Sequence, residues 1–104
     1  MSVMMELSVL PTDKGESLSP YVARCLEIID GSGLSYKLGP MGTTLEGKTA
    51  GEVFAVIDKC LTALQRDCKR IEAVIRLDWR AGEEQRMEAQ VHRVEDTVGH
   101  KLHT

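Results

Sequence analysis

The hydrophobic period of this chain switches from two residues to three or four and back again, twice, and that limits the folds open to it. Residues 3–10 alternate, with Val3, Met5, Leu7 and Val9 on one side and Met4, Glu6 and Ser8 on the other. That is the pattern of a strand with one buried face. Pro11 ends it, and residues 12–16 form a polar loop. Ser19 before Pro20 predicts an N-cap with proline at the first helical position. Val22, Cys25, Leu26 and Ile29 then recur at helical spacing until Gly31 and Gly33 close the helix. Leu34, Tyr36 and Leu38 alternate with Ser35 and Lys37 as a second strand. A turn at residues 39–42 leads into a short third strand over residues 43–46.

Thr49 and Glu52 form a capping box, and Val53, Val56, Ile57, Cys60, Leu61 and Leu64 give the next helix its inner stripe. Residues 70–80 alternate again, with Ile71, Ala73, Ile75, Leu77 and Trp79 opposed to Glu72, Val74, Arg76, Asp78 and Arg80. From about Glu84 a third helix follows, with Met87, Val91, Val94, Val98 and Leu102 as its stripe. The order βαββαβ plus a C-terminal helix predicts one α+β domain over residues 1–104. Its architecture is a ferredoxin-like split βαβ sandwich: a four-stranded antiparallel sheet with two helices on one face. Strands one and three are then the central neighbours.

Composition narrows the function classes. The chain is 42% apolar and 28% charged with a net charge of −3, and it has no basic run. Charge alone therefore disfavours nucleic acid as a partner. No apolar run reaches the length of a membrane span, and Glu6 interrupts the only apolar start, so a cytoplasmic protein is expected. Cys25, Cys60 and Cys68 fall on helical apolar positions and read as small buried hydrophobes in a reducing compartment. About 12 Å of helix between Cys60 and Cys68 argues against a disulfide. His100 and His103 have a spacing that two metal ligands could share, but no cysteine or carboxylate set joins them, so no metal site is expected. The charge is uneven: residues 1–47 hold six acids against three bases, while residues 48–104 hold ten of each. That asymmetry is compatible with a cationic partner or with chance.

The segment Gly39-Pro40-Met41-Gly42-Thr43-Thr44-Leu45-Glu46-Gly47 is the first place to look for function, because glycine admits close approach and two hydroxyls and a carboxylate follow it. Strand parity puts Glu6 and Ser8 on the face away from the helices. Gly42, Thr44 and Glu46 join them there, with Arg76 and Asp78 one strand further out. Thr43 reads as a turn or edge group. Three readings of this face stand side by side: a solvated surface of cross-strand ion pairs, a subunit interface, or a ligand pocket between subunits. Glu6 and Glu46 are a conceivable acid–base pair, but no nucleophile or metal set accompanies them and no enzyme is predicted.

Three segments together resemble the small thiamine-binding proteins. They are Glu6-Leu7-Ser8-Val9-Leu10-Pro11, Ser17-Leu18-Ser19-Pro20-Tyr21-Val22-Ala23, and Met41-Gly42-Thr43-Thr44-Leu45-Glu46-Gly47, the last preceded by Tyr36 and Gly39. The strand end Arg76-Leu77-Asp78-Trp79-Arg80 and the closing helix also fit, so the resemblance spans essentially the whole chain. It implies a homo-oligomer, dimer or tetramer, that binds thiamine or its hydroxymethylpyrimidine moiety without converting it and needs no cofactor. The expected ligand-binding residues are Glu6, Ser8, Gly42, Thr43, Thr44, Glu46, Arg76 and Asp78. Carboxylates would offset the thiazolium charge and hydroxyls would meet the pyrimidine edge. On that reading, loss of Glu46 should weaken binding more than folding. The alternative is a structural or regulatory homo-oligomer without a small-molecule ligand, its open sheet face being the interface.

Overall fold

A computed structural model describes residues 1–82 and 85–104. The elements run β1 (Ser2–Pro11), α1 (Ser19–Gly31), β2 (Ser35–Leu38), β3 (Thr43–Gly47), α2 (Ala50–Leu64), β4 (Ile71–Arg80) and α3 (Arg86–Val98). The strands form one sheet in the order β2-β3-β1-β4, and every adjacent pair is antiparallel. This is the ferredoxin-like sandwich that the periodicity predicts, with β1 and β3 in the centre.

The core lies between the sheet and α1 and α2. Val3, Met5, Leu7 and Val9 of β1 and Leu45 of β3 meet Cys25 and Ile29 of α1, and Val53, Val56, Ile57, Cys60 and Leu64 of α2. Parity on β1 follows from burial, since a one-residue slip would turn all four apolar side chains to solvent. The Thr49 hydroxyl accepts from Glu52 N at 3.2 Å, which starts α2 as its capping box predicts. The return arm differs, because the Glu52 carboxylate accepts from Lys48 N at 3.3 Å. At α1 the cap moves back one residue. Leu18 is the N-cap, with no side-chain cap, and Ser19 is the first helical residue. The backbone carbonyl of Leu18 takes the amides of Tyr21 and Val22 instead. Arg24 of α1 grips Asp67 beyond α2 with two hydrogen bonds of 2.7 and 3.1 Å, tying the two helices together. Those bonds hold the Asp67 carboxyl at about 2, below its usual 3.8.

Two elements depart from the sequence pattern. Ile75, Leu77 and Trp79 do point to the helix side of the sheet, as their register with Leu7, Met5 and Val3 requires. They nevertheless remain 41%, 40% and 56% exposed. β4 is an edge strand, and only its first residue, Ile71, is partly buried against the core. The third helix begins at Arg86, and the expected start at Glu84 lies outside the described residues. It ends at Val98, where Gly99 at φ +93° supplies the left-handed cap. Leu102 lies beyond the helix and its amide donates to Glu95 at 2.7 Å, so it belongs to a folded-back tail and not to the helical stripe. Among the described residues no helix is long and apolar enough to cross a membrane.

Candidate ligand-binding site

The glycine-rich turn between β2 and β3 is closed by a hydrogen bond from Gly39 N to Gly42 O at 2.8 Å. A Cβ at Gly39 would stand 2.9 Å from that same carbonyl oxygen, and one at Gly42 would stand 3.2 Å from the oxygen of Leu7. Only glycine lets this turn fold so tightly against the end of β1. The result is a cavity of about 160 Å³ between the turn, residues 7–10 of β1 and the inner face of α1. Val22, Cys25, Leu26 and Ile29 form its helical wall, and Leu38, Pro40 and Met41 border it on the turn side. Met41 is 92% exposed, so a large flexible side chain stands free at this border.

The cavity is mostly apolar, and among the described residues its lining carries no Asp, Glu, Lys, Arg or His. Ser8, Gly42 and Thr43 of the expected ligand set border it. Thr43 pairs with Leu7 across β1 and β3, on the helix side of the sheet. Its side chain is only 4% exposed. No hydrogen bond is formed by its hydroxyl among the described residues, although buried hydroxyls are nearly always paired. The sequence reads Thr43 as a turn or edge group; as the first residue of β3 it pairs with Leu7, and its side chain turns inward. Cys25 adds a thiol to the helical wall. The Cys60 thiol contacts the Cys25 carbonyl oxygen at 3.7 Å. The interaction with Cys25, together with burial, pushes the Cys60 thiol far above its usual range, so it stays neutral.

The other expected residues lie on the opposite face. Glu6 stands between Thr44 and Arg76 in register, with Lys37 beyond Thr44, so one row across the sheet reads Lys37-Thr44-Glu6-Arg76. The next row reads Ser35-Glu46-Met4-Asp78. The structure thus brings Glu6, Thr44, Glu46, Arg76 and Asp78 onto one surface, as parity predicts, but separates them from the cavity by the thickness of the sheet. Two of them are engaged there. Glu46 accepts the amides of Arg86 and Met87 at 2.8 and 3.1 Å, capping α3 with a carboxylate where the helix dipole favours one. Asp78 accepts from the guanidinium of Arg86 at 2.9 Å through its carboxylate and at 2.6 Å through its carbonyl.

Arg86 is the residue that sequence reasoning missed. It is fully buried and also donates to the Ser2 hydroxyl at 2.7 Å and the Ser2 carbonyl at 3.1 Å. A signal existed: a lone cation at a helix N-terminus opposes the dipole, which argues for a specific acceptor set elsewhere.

The comparisons agree with this architecture. The profile of the family described as thiamine-binding protein matches residues 5–95. A UPF0045 protein of Mycobacterium tuberculosis is 36% identical over 95 residues, covering 91% of this chain and 93% of its own length. A UPF0045 protein of Synechocystis is 33% identical over 96 residues, covering 91% of this chain and 78% of its own. Among solved structures, a hypothetical protein of Methanocaldococcus jannaschii superposes with a TM-score of 0.82 at 26% identity, over 91% of this chain and 97% of that one. A Thermotoga maritima protein named for thiamine biosynthesis/salvage superposes with a TM-score of 0.79 at 26% identity, over 90% and 99% of the two chains.

Proposed function

This chain belongs to the thiamine-binding protein family, and from that premise we propose that its cavity binds the aminopyrimidine ring of thiamine or of a free hydroxymethylpyrimidine, without chemistry. The observation that carries this reading is the buried hydroxyl of Thr43, without a hydrogen-bond partner among the described residues, in the lining of a mostly apolar cavity. Size supports it. An apolar cavity of about 150 Å³ holds one benzene ring, and this one measures about 160 Å³. The space matches a single flat ring. Charge supports it as well, because a neutral pyrimidine loses little on entering a wall without ions, whereas a bare thiazolium would pay a large desolvation cost. Thr43 is the side-chain ligand contact on this reading and Gly42 allows close approach, while the Ser8 side chain takes the face of Glu6, away from the helices. Among the described residues the cavity lining holds no carboxylate, histidine or lysine to act as a base, which favours binding over turnover. Three free thiols agree with a reducing, cytoplasmic setting.

Calorimetric titration with hydroxymethylpyrimidine and thiamine tests the proposal. Saturable heat at one site per chain and unchanged ligand by mass spectrometry are expected. Absence of heat and of any thermal shift at millimolar ligand would leave the structural homo-oligomer as the better reading.

Assembly into a homo-oligomer is part of the proposal, and β4 supports it. This ten-residue edge strand is hydrogen-bonded on one side only and exposes Ile75, Leu77 and Trp79. Such edges invite pairing. Antiparallel self-pairing with Leu77 opposite Leu77 of a second copy sets Ile75 against Trp79 on one face and Arg76 against Asp78 on the other. Apolar then meets apolar and cation meets anion. Sedimentation of Leu77→Lys is expected to give a smaller species than the unsubstituted protein. A monomeric unsubstituted protein at micromolar concentration would remove the assembly part.

A further inference from the structure

Cys25 of α1 and Cys60 of α2 are 35 residues apart in the chain and meet where the two helices pack. The Cys60 thiol donates to the Cys25 carbonyl oxygen at 3.7 Å and also hydrogen-bonds the Cys25 thiol. Both are free thiols and both are buried, at 4% and 0% exposure. They differ in access: Cys25 is part of the lining of the cavity behind the Gly39–Gly42 turn, and Cys60 is not. They differ in acidity as well. The hydrogen bond from Cys60 lowers the pKa of the Cys25 thiol; burial opposes this and the Arg24 charge adds to it. The same bond and burial push Cys60 the other way. Cys68 is an internal control, since burial and the charge of Asp67, which it touches at 3.7 Å, both raise its pKa. Packing accounts for a buried cysteine as a small hydrophobe. It does not call for two in contact, one of them reached by a cavity.

We propose that Cys25 and Cys60 form a redox-active pair: hydrogen peroxide entering the cavity oxidises Cys25, and Cys60 then closes a disulfide between α1 and α2. Size selects the oxidant. A protein or a glutathione-sized disulfide reaches neither sulfur unless the helices part, whereas peroxide is hardly larger than water. The Cys25 thiolate attacks one peroxide oxygen and the O–O bond breaks. Hydroxide leaves and takes up a proton, and Cys25 becomes a sulfenic acid. The Cys60 sulfur then attacks the Cys25 sulfur and the S–O bond breaks. The departing hydroxide takes the Cys60 proton and leaves as water. Two thiols lose two electrons in all, and one peroxide becomes two waters. Sulfurs already in hydrogen-bond contact have only to close to about 2 Å. The product ties α1, the helical wall of the cavity, to α2. A disulfide that forms only on oxidant exposure is the kind a reducing compartment permits. This chemistry needs no bound ligand and is independent of the pyrimidine reading.

The experiment treats the reduced full chain with hydrogen peroxide, blocks the remaining thiols in denaturant and maps peptides by mass spectrometry. A Cys25–Cys60 cross-linked peptide is expected, lost on reduction, with Cys68 recovered as the free thiol. Closing a loop across 35 residues should raise the melting temperature of the oxidised chain by roughly 10 °C. In Cys60→Ser, dimedone should trap a sulfenic acid on Cys25; in Cys25→Ser, Cys60 should stay unmodified. The cross-link is read in the unsubstituted chain, so it does not depend on either variant folding. Recovery of all three cysteines as free thiols, at a peroxide dose that fully oxidises a small-molecule thiol, would overturn the proposal. So would a cross-link that includes Cys68, or oxidation of Cys60 that persists in Cys25→Ser. Oxidised glutathione at the same dose should leave the pair reduced, and a glutathione adduct on Cys25 would overturn selection of the oxidant by size.

Discussion

Arg86→Met is expected to lower stability by about 2–4 kcal/mol, which for a domain of this size moves the melting temperature by roughly 10–20 °C. The side chain is fully buried, and its removal strands groups at the start of β1 that water cannot reach. Ser2 is 2% exposed, and both its hydroxyl and its carbonyl lose their donor. Asp78 contributes less to the loss, since its side chain is 63% exposed and rehydrates. Methionine preserves much of the volume, so the effect isolates the hydrogen bonds from the packing. Thermal and urea unfolding followed by circular dichroism measure it. A change below about 1 kcal/mol would mean that α3 docks independently of this guanidinium.

The same anchor bears on the expected ligand residues. Glu46 and Asp78 are held against α3, and Ser2 lies roughly 20 Å along β1 from Ser8 at the cavity. Loss of Glu46 should therefore weaken folding more than binding, the reverse of what its sequence position suggests.

Thr43→Val is expected to separate binding from stability in the opposite sense. Valine has the shape of threonine and replaces a buried hydroxyl that has no partner in the ligand-free protein. Removing an unsatisfied polar group should stabilise the free protein by up to about 1 kcal/mol. The same change removes a hydrogen bond to the pyrimidine edge and should weaken binding roughly tenfold. Thermal shift without ligand and calorimetry with hydroxymethylpyrimidine are the two readouts. A destabilised variant would show that the hydroxyl serves the fold; unchanged affinity would remove Thr43 from the site.

Local pattern made most of the fold legible. The two-residue period on β1 identifies Val3, Met5, Leu7 and Val9 as core and Glu6 and Ser8 as the other face, and burial agrees at each apolar position. Thr49 and Glu52 announce the start of α2 because a capping box is a contact between residues three apart. The order of period switches then leaves few topologies, and the observed β2-β3-β1-β4 sheet is the ferredoxin-like one. The turn at Gly39–Gly42 was equally legible as a place of close approach, since the absence of two Cβ atoms is written in the sequence.

Coverage of those surfaces was not legible. Alternation assigns Ile75, Leu77 and Trp79 to the helix side, yet no helix reaches far enough along β4 to bury them. Parity places Glu46 on the open face, yet only the fold brings the amides of α3, forty residues away in the chain, onto its carboxylate. Ser2 and Arg86 meet across a separation of 84 residues. The sequence by itself therefore determined the elements, their order and the face each strand residue takes, because side-chain direction depends on backbone geometry a few residues long. Only the tertiary structure decided that Thr43 is buried beside a cavity and that Glu46 and Asp78 hold a helix. Those outcomes depend on which distant segment covers each face, and hydrophobic periodicity carries no label for its partner.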